Sequence, residues 1–480
     1  MFSRFKAAVT LTLIASTLLS VIGLAGPVSA QSGDYVKTFD LPTKPTTDGA
    51  YAGVDPSGAT VTYWHNQPGN NQKTLEGLIA AFNQGNPWKI TVKPVLKGNN
   101  SAVFQAMLAG LQTKDLPNLV SAYQNEAAEY QNVNALVDLN DFFNDKTYGL
   151  GQAATNDFFQ SYLQSDVNPQ FKNQRLGFPL FRSMEVLYYN ADALQALGFS
   201  AAPKNWNDFE TMACKYKDSA SGRIGYEVST DASFIAAAAF AQGGDVYDPK
   251  ANKFTYDSPE AQVAPAIMQD MMQKGCASLP AAAFADQNDF AAQKSVFYVG
   301  TSAGFPFVKA AIQQAGKAFN WDIAPIPYKT QPVQNVFGAS VSVPATTKPQ
   351  QLAAWLFIRW MDEAEQQAVW AKATNYYPVR QSTAAQMTDY FTANPQYKHG
   401  FDLLGNTKVE PPIVAYNPVR TLVTNAFNDV LDGKPVADTF GKLNDDANAA
   451  ITQNQPGAPL PTPLPTATPK PATPAATAAK

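Results

Sequence analysis

Side chains that could do chemistry follow the ends of the first predicted strands of this chain. They are polar or aromatic: Trp64, His65, Asn66, Asn99, Asn100, Tyr123, Gln124 and Asn125. None of them pairs a nucleophile with a neighbouring base, so the set suits hydrogen bonding better than bond breaking. In open α/β sheets, ligands bind outside the carboxyl ends of the strands. We therefore predict that these residues line a binding site.

A second pair of polar side chains precedes a later strand. Arg182 and Ser183 lie between the Gly-Phe-Pro break at 177–179 and the β-rich run at 186–189. A short polar bend before a buried strand is a place where donors can face a cleft. We interpret this stretch as a crossing between two lobes.

Two further positions follow or interrupt strands in the second half of the chain. Thr301 and Ser302 follow the predicted strand 296–299 and open a helix, whose free backbone amides could receive an anion or a sugar hydroxyl. An ordinary N-cap by either side chain explains the same pattern. Gly338 comes early in the predicted strand 336–343, where it either lets a ligand approach the backbone or relieves a bulge.

The elements that must position these residues alternate between strand and helix. Strands are predicted at 59–65, 88–96 and 116–123, with helices at 75–82 and 103–111 between them. This β-α-β-α-β order implies parallel strands with helices on both faces. Further predicted elements are helices at 206–217, 234–242, 261–274, 350–361, 364–374 and 421–431, a strand near Ile323, and polar interruptions at 375–380 and 416–420.

Length and composition bound the class of protein. A chain of 480 residues is too long for one small core, and a formal net charge of −4 argues against a nucleic-acid partner. The N-terminus is typical of a secretory signal, with Arg4 and Lys6, an apolar run at 7–24 and a small-residue cleavage site at 28–30. A retained membrane anchor is the alternative. We expect an exported protein with a Pro-rich, disordered tail beyond Gln455.

The two cysteines, Cys214 and Cys276, are predicted to form a disulfide, because exported thiols oxidise. Two separate buried thiols are the alternative. A zinc site is not expected, since the only histidines are His65 and His399 and neither has ligand spacing with a cysteine. We expect no metal and no cofactor.

Short motifs in a particular order carry a resemblance to a known family. They lie at 63–65, 97–99, 179–190, 337–340, 375–378 and 417–420. Over roughly residues 60–450, the chain resembles the extracellular solute-binding proteins (family 1) of carbohydrate ABC importers, most of all the branch that binds sn-glycerol 3-phosphate and its diesters. The resemblance implies an α/β, two-lobed periplasmic-binding-protein fold (type II, maltose-binding-protein-like) with a ligand cleft between the lobes.

The resemblance also implies a set of ligand-binding residues. Carried over to this chain, they are Ser183, Thr301 or Ser302, Gly338, Tyr376 and Arg420. An arginine fork with hydroxyl and backbone donors would bind a phosphate, while a tyrosine covers a polyol face. Tyr376 as a core aromatic and Arg420 as a surface ion-pair partner are the alternatives.

Two positions depart from the pattern of that branch. Asn100 stands where the branch has a tyrosine, and Gln124 where it has a glutamate. The usual tryptophan of the second-lobe wall is missing near 226–233. Glycerol 3-phosphate, a glycerophosphodiester and a sugar therefore all stay open as the ligand, with Asn100, Gln124, Asn125 and Arg182 as further candidate contacts.

The resemblance gives an expected domain layout and function. The expected units are a signal peptide at 1–30, a leader at 31–58, lobe I at 59–177, lobe II at 178–329, a hinge return with shared C-terminal helices at 330–454, and a tail at 455–480. A monomer would close on a solute and deliver it to the permease subunits of an ABC importer. The alternatives are an oligosaccharide-binding protein without phosphate recognition, a secreted glycoside hydrolase and an adhesion protein displayed by the tail.

Overall fold

A computed structural model describes Phe39, residues 41–457 and Leu460. The predicted signal peptide and most of the predicted tail lie outside the described residues, as do parts of the predicted leader. The described part of the leader, 41–58, contains no helix or strand and packs on the rest of the chain. There the Tyr51 ring stacks on Phe142 at 4.0 Å between ring centres, and its hydroxyl donates to Gln351 at 2.7 Å.

The strands of the described residues are mostly short. They are β1 (Thr60–His65), β2 (Thr91–Leu96), β3 (Leu119–Ala122), β4 (Val167–Asn168), β5 (Gln174–Arg175), β6 (Ser183–Asn190), β7 (Tyr226–Glu227), β8 (Tyr247–Asp248), β9 (Lys253–Phe254), β10 (Ala277–Ser278), β11 (Phe297–Thr301), β12 (Trp321–Ala324), β13 (Gln334–Phe337), β14 (Ser340–Ser342) and β15 (Thr407–Val409).

The helices surround these strands. They are α1 (Asn70–Gly85), α2 (Asn100–Thr113), α3 (Gln124–Gln131), α4 (Asn140–Phe143), α5 (Gly151–Asp157), α6 (Gln160–Ser165), α7 (Ala191–Ala196), α8 (Trp206–Tyr216), α9 (Ala232–Ala241), α10 (Pro259–Gln273), α11 (Ala285–Ala291), α12 (Phe305–Ala315), α13 (Lys348–Met361), α14 (Ala364–Thr374), α15 (Thr388–Ala393), α16 (Pro395–Asp402), α17 (Tyr416–Leu431) and α18 (Val436–Gln453). Short 3₁₀ turns lie at Pro169–Phe171, Ser302–Gly304, Gln381–Gln386 and Leu403–Gly405.

The first sheet has the strand order β14-β3-β1-β2. Strand β1 is parallel to β2 and to β3, as the β-α-β-α-β pattern predicts, while β14 returns antiparallel to β3. Helices α1, α2 and α13 pack on these strands. We call this sheet and its helices lobe I.

The second sheet is centred on β6. Its order is β10-β7-β11-β6-β13-β15, and β12 also pairs with β6. Strands β11, β12 and β13 are all antiparallel to β6, so β6 carries neighbours on both edges. Helix α9 packs on β6 and β13, and α10, α17 and α18 pack together next to it. We call this sheet and its helices lobe II.

The predicted strand 336–343 is wrong as a single strand. It divides into β13, which belongs to the lobe II sheet, and β14, which belongs to the lobe I sheet. Gly338 lies at the break with φ of 144°, a backbone conformation that residues with a side chain rarely adopt. The glycine is therefore needed where the chain passes from one lobe to the other.

The predicted polar interruption at 416–420 is also wrong, because these residues form the first turn of α17. Pro418 is tolerated there, since the first amides of a helix have no partner within the helix. Arg420 is thereby fixed on the first turns of a regular helix.

Cys214 and Cys276 are joined, which confirms the predicted disulfide. The bond ties α8 to the segment that follows α10, so it lies within lobe II. The predicted domain boundaries stay a prediction.

Candidate functional site

A cavity of about 940 Å³ lies where the two lobes face each other. Lobe I contributes the start of α3, including Tyr123 and Gln124. The lobe II sheet contributes Glu185 and Thr301, and the first turns of α17 contribute Arg420. The cavity therefore draws its walls from both sheets and from the late helix.

The lobe I wall is held by the start of α3. The Tyr123 amide donates to the Glu126 carboxylate at 2.8 Å, which fixes the first turn of the helix. Burial raises the pKa of Glu126 to about 8. The Tyr123 hydroxyl accepts a hydrogen bond from the Asn100 amide at 3.4 Å, so Asn100 supports this wall from behind.

A buried polar cluster lies beside the cavity at the crossing between the lobes. We call Gln124, Asp166, Arg182 and Ser340 the crossing cluster. Arg182 donates to Asp166 at 3.1 Å and to Ser340 at 2.7 Å. Asp166 also accepts from Ser340 at 2.8 Å and from Gln124 at 3.2 Å. Arg182 lies in the first segment that crosses between the lobes, and Ser340 lies in β14, directly after the second crossing at Gly338. The cluster therefore holds both crossing segments against lobe I.

The lobe II floor carries an acidic side chain between two apolar residues of β6, Met184 and Val186. Glu185 of β6 lies opposite Thr301 of β11 and lines the cavity. Its pKa is raised to about 8 by burial first and then by the nearby carboxylates Asp231 and Glu410. Among the described residues, no hydrogen bond or ion pair is found for the Glu185 carboxyl. This group is available to a solute.

Arg420 lines the cavity within a set of carboxylates. It is ion-paired with Glu410, reaches Asp231 at 3.4 Å and donates to the Ser233 hydroxyl at 3.1 Å. Glu410 also accepts from the Tyr416 hydroxyl at 2.5 Å. Burial acts to lower the pKa of Arg420, but Glu410 and the other anionic neighbours outweigh it and raise the pKa. The positive charge is therefore already balanced.

The residues that line the cavity are more often acidic than basic. The lining carboxylates are Glu126, Glu185, Asp231, Asp286 and Glu410, and the lining cations are Arg182 and Arg420. Both arginines have carboxylate partners. Amide, hydroxyl and aromatic groups complete the walls, among them Asn125, Asn417, Tyr298 and Phe337.

Six of the sequence-predicted site residues line the cavity: Tyr123, Gln124, Asn125, Arg182, Thr301 and Arg420. Thr301 also accepts from the Ala303 amide at 3.3 Å, which is the N-cap alternative. Arg420 likewise shows the ion pairing of its alternative, although it lines the cavity as well. Their roles toward a ligand stay predictions.

The other predicted site residues lie outside the lining set: Trp64, His65, Asn66, Asn99, Asn100, Ser183, Ser302, Gly338 and Tyr376. Trp64 carries the Lys97 ammonium 3.8 Å from its ring centre. His65 is fully buried, accepts from the Gln67 amide at 3.3 Å, and has its pKa lowered to about 4 by burial. At the carboxyl end of β1, Trp64 and His65 are thus engaged by the nearby residues Lys97 and Gln67 and do not reach the cavity.

Three of these outer residues serve the crossing strands. The Ser183 hydroxyl donates to the Phe337 carbonyl at 3.4 Å, and the Ser302 hydroxyl accepts from the Met184 amide at 3.1 Å. The Gly338 carbonyl accepts from Gln124 at 3.5 Å.

Tyr376 packs against the Phe181 ring at 5.0 Å between ring centres, and its carbonyl accepts from the Tyr397 hydroxyl. These contacts agree with the core-aromatic alternative.

Sequence reasoning missed several lining residues, above all Glu185, Asp231 and Glu410. The only local signal was a charged residue within the apolar run that follows Ser183. Among the described residues, no cluster of histidine, cysteine or acidic side chains is arranged to hold a metal ion. None of the described helices is long and apolar enough to span a membrane.

A two-lobed α/β architecture with a polar cavity between the lobes defines a solute-binding class of protein. The family described as bacterial extracellular solute-binding protein matches residues 77–399 of the chain. The chain belongs to this family. The family assignment confirms the predicted resemblance, the prediction of a binding protein instead of an enzyme, and the predicted export.

Relatives and solved structures agree with this assignment. The chain is 25% identical over 420 residues to the sn-glycerol-3-phosphate-binding periplasmic protein UgpB of Salmonella typhimurium, covering 80% of this chain and 90% of the relative. It resembles the cyclic alpha-maltosyl-1,6-maltose binding protein of Arthrobacter globiformis with a TM-score of 0.70 at 18% identity, over 82% of this chain and 99% of the other. UgpB of Mycobacterium tuberculosis in complex with glycerophosphocholine matches with a TM-score of 0.69 at 22% identity, over 82% and 98%. These likenesses confirm the predicted two-lobed fold.

Proposed function

We propose that this protein, the solute-binding component of an ABC importer, takes a neutral carbohydrate or polyol as its ligand. The observation that carries the choice of ligand is the charge pattern of the cavity, in which both lining arginines are already paired with carboxylates. A phosphate dianion would have to compete with those carboxylates for the arginines. A neutral solute needs no such exchange.

The chemistry of the walls suits a polyhydroxylated solute. The Asp231 carboxylate accepts hydrogen bonds from hydroxyl groups, the Glu185 carboxyl can donate or accept, and Gln124 and Asn417 offer both donors and acceptors. Aromatic side chains such as Tyr298 supply apolar surface for the C–H face of a sugar ring. A cavity of about 940 Å³ is of the size that small-molecule sites use.

Capture would follow from closure of the lobes. The chain passes between the sheets at 178–183 and again at Gly338, so few backbone positions would have to change when the lobes approach each other. The closed, loaded form is then the form that the permease subunits recognise. We expect a monomer that acts without a nucleic-acid partner or a cofactor.

A glycerol phosphate or glycerophosphodiester is the second candidate. It is supported by the relatives named sn-glycerol-3-phosphate-binding proteins and by the structural neighbour that holds glycerophosphocholine. In this case Arg420 would leave Glu410 and bind the phosphate with its planar fork. The predicted site of this branch, with Ser183, Gly338 and Tyr376, would then form only after closure.

Calorimetric titration of the protein separates the two candidates. The probes are maltose, ribitol, sn-glycerol 3-phosphate and glycerophosphocholine, tested against wild type and Arg420→Gln. The neutral ligand predicts binding of maltose or ribitol and weak binding of the phosphates. Binding of the phosphates alone, lost in Arg420→Gln, would establish the second candidate.

A further inference from the structure

One large apolar side chain that lines the cavity is exposed to solvent. Phe284 is 72% exposed, the highest value among the exposed large hydrophobic residues of the described chain. It nevertheless belongs to the cavity lining, together with Pro280, Ala282 and Ala283 of the same loop. We call residues 279–284 the rim loop, because they lie between β10 and α11 at an edge of the cavity.

The backbone under this ring is strained. Phe284 has φ of 64° and ψ of 11°, the left-handed conformation, directly before the first residue of α11. Bulky residues rarely adopt this conformation, whereas glycine and asparagine do so readily. Strain of this kind persists where the site needs the side chain in a particular place. Neither burial of the ring nor a favourable backbone conformation explains why a phenylalanine occupies this position.

The neighbouring part of the lobe II wall has little apolar surface of its own. The lining segment before α9 consists of Val228, Ser229, Thr230 and Asp231. The alanines of the rim loop are small and leave room beside the ring. Phe284 therefore supplies a flat apolar surface beside this segment, in addition to the aromatic surface that Tyr298 and Phe337 give elsewhere in the lining.

We propose that Phe284 is a specificity-determining residue that stacks on the C–H face of a ring sugar when the lobes close, which rests on the function proposed above. In the empty protein, the exposed ring and its strained backbone lower the stability. A bound sugar would cover the ring and remove it from water. Aromatic surface of this type favours ring sugars over acyclic polyols, because only a ring presents a flat C–H face.

The test uses three variants of the whole mature protein and two probes, maltose and ribitol. Phe284→Asn removes the ring and suits the left-handed backbone, while Phe284→Tyr keeps both the ring and the strain. Phe307→Asn is the matched control, since Phe307 is 65% exposed but lies within α12 and outside the cavity lining.

We expect Phe284→Asn to weaken maltose binding about 10-fold or more, with a smaller effect on ribitol. The same variant should raise the melting temperature of the empty protein by about 1–3 °C, because the strain is relieved. Phe284→Tyr should bind maltose within about 3-fold of wild type. Phe307→Asn should leave the affinity for maltose unchanged and should not raise the melting temperature.

Other results would overturn the proposal. Equal maltose affinity of wild type and Phe284→Asn would remove Phe284 from the site while leaving the proposed function intact. A lower melting temperature of the empty Phe284→Asn protein would show that the ring serves the fold. If wild type binds neither maltose nor ribitol, the proposed ligand class and this inference fail together.

Discussion

Loss of the charge on Asp166 is expected to destabilise the protein strongly. Asp166 and Arg182 form an ion pair in which both side chains are only 1% exposed. Burial lowers the pKa of Arg182, and the negative charge of Asp166 opposes this effect. Among the described residues, Asp166 is the only carboxylate found in an ion pair with Arg182.

The magnitude follows from the burial of the pair. Asp166→Asn keeps the size of the side chain but leaves the Arg182 guanidinium buried without a counter-ion, which typically costs about 3–5 kcal/mol. Urea unfolding followed by circular dichroism measures the free energy of unfolding. In the double variant Asp166→Asn with Arg182→Met, the uncompensated charge is gone, and we expect recovery of about half of the loss or more.

Asp402→Asn is the control for this prediction. It breaks the helical pair Lys398–Asp402, whose side chains are 41% and 54% exposed, and should cost less than about 0.5 kcal/mol. A loss below about 1 kcal/mol for Asp166→Asn would refute the reasoning, because a buried, singly compensated arginine cannot lose its partner so cheaply. No recovery in the double variant would equally contradict it.

Three further predictions concern the glycine at the crossing, the disulfide and a buried carboxyl group. Gly338→Ala should lower stability by about 1–3 kcal/mol in urea unfolding, because φ of 144° strains any side-chain residue; an unchanged midpoint would mean that the crossing can relax. Replacing Cys214 and Cys276 with serine should cost about 4 kcal/mol, since the bond closes a loop with a sequence separation of 62, and a melting temperature equal to that of the oxidised protein would contradict this. The Glu126 carboxyl, with a folded pKa of about 8 against an ordinary 4.5, contributes stability that is complete below pH 4.5 and is lost as the pH rises through 8. The free energy of unfolding of the wild type should therefore be lower at pH 8 than at pH 5. Glu126→Gln should make this decline less steep by up to about 1.4 kcal/mol per pH unit, and equal slopes in the two proteins would contradict the prediction.

Local sequence patterns were sufficient for the main helices and for the order of elements at the start of lobe I. The apolar periodicity predicted a helix at 364–374, and α14 has the same bounds. The β-α-β-α-β order predicted the parallel pairing of β1 with β2 and β3. These features depend on neighbours within a few turns or on general rules of connection, so a single chain reveals them.

Features that depend on distant partners were not predictable in the same way. The apolar alternation at 336–343 continues through Gly338, and only the two sheets show that the strand divides there. The sequence motif predicts that Arg420 binds phosphate. Only the structure shows its ion pairs with Glu410 and with Asp231, which is 189 residues away in the sequence. The left-handed backbone of Phe284 follows a run of alanines that locally favours a helix.

Titration of the mature protein with maltose, ribitol, sn-glycerol 3-phosphate and glycerophosphocholine tests the central claim most directly. The account predicts saturable binding of a neutral carbohydrate or polyol at one site per chain, with a rise in melting temperature that grows with the solute concentration. Binding of the phosphates alone would contradict the proposed ligand while keeping the solute-binding class. The absence of any binding, with each solute tested at millimolar concentration, would contradict the account of the cavity itself.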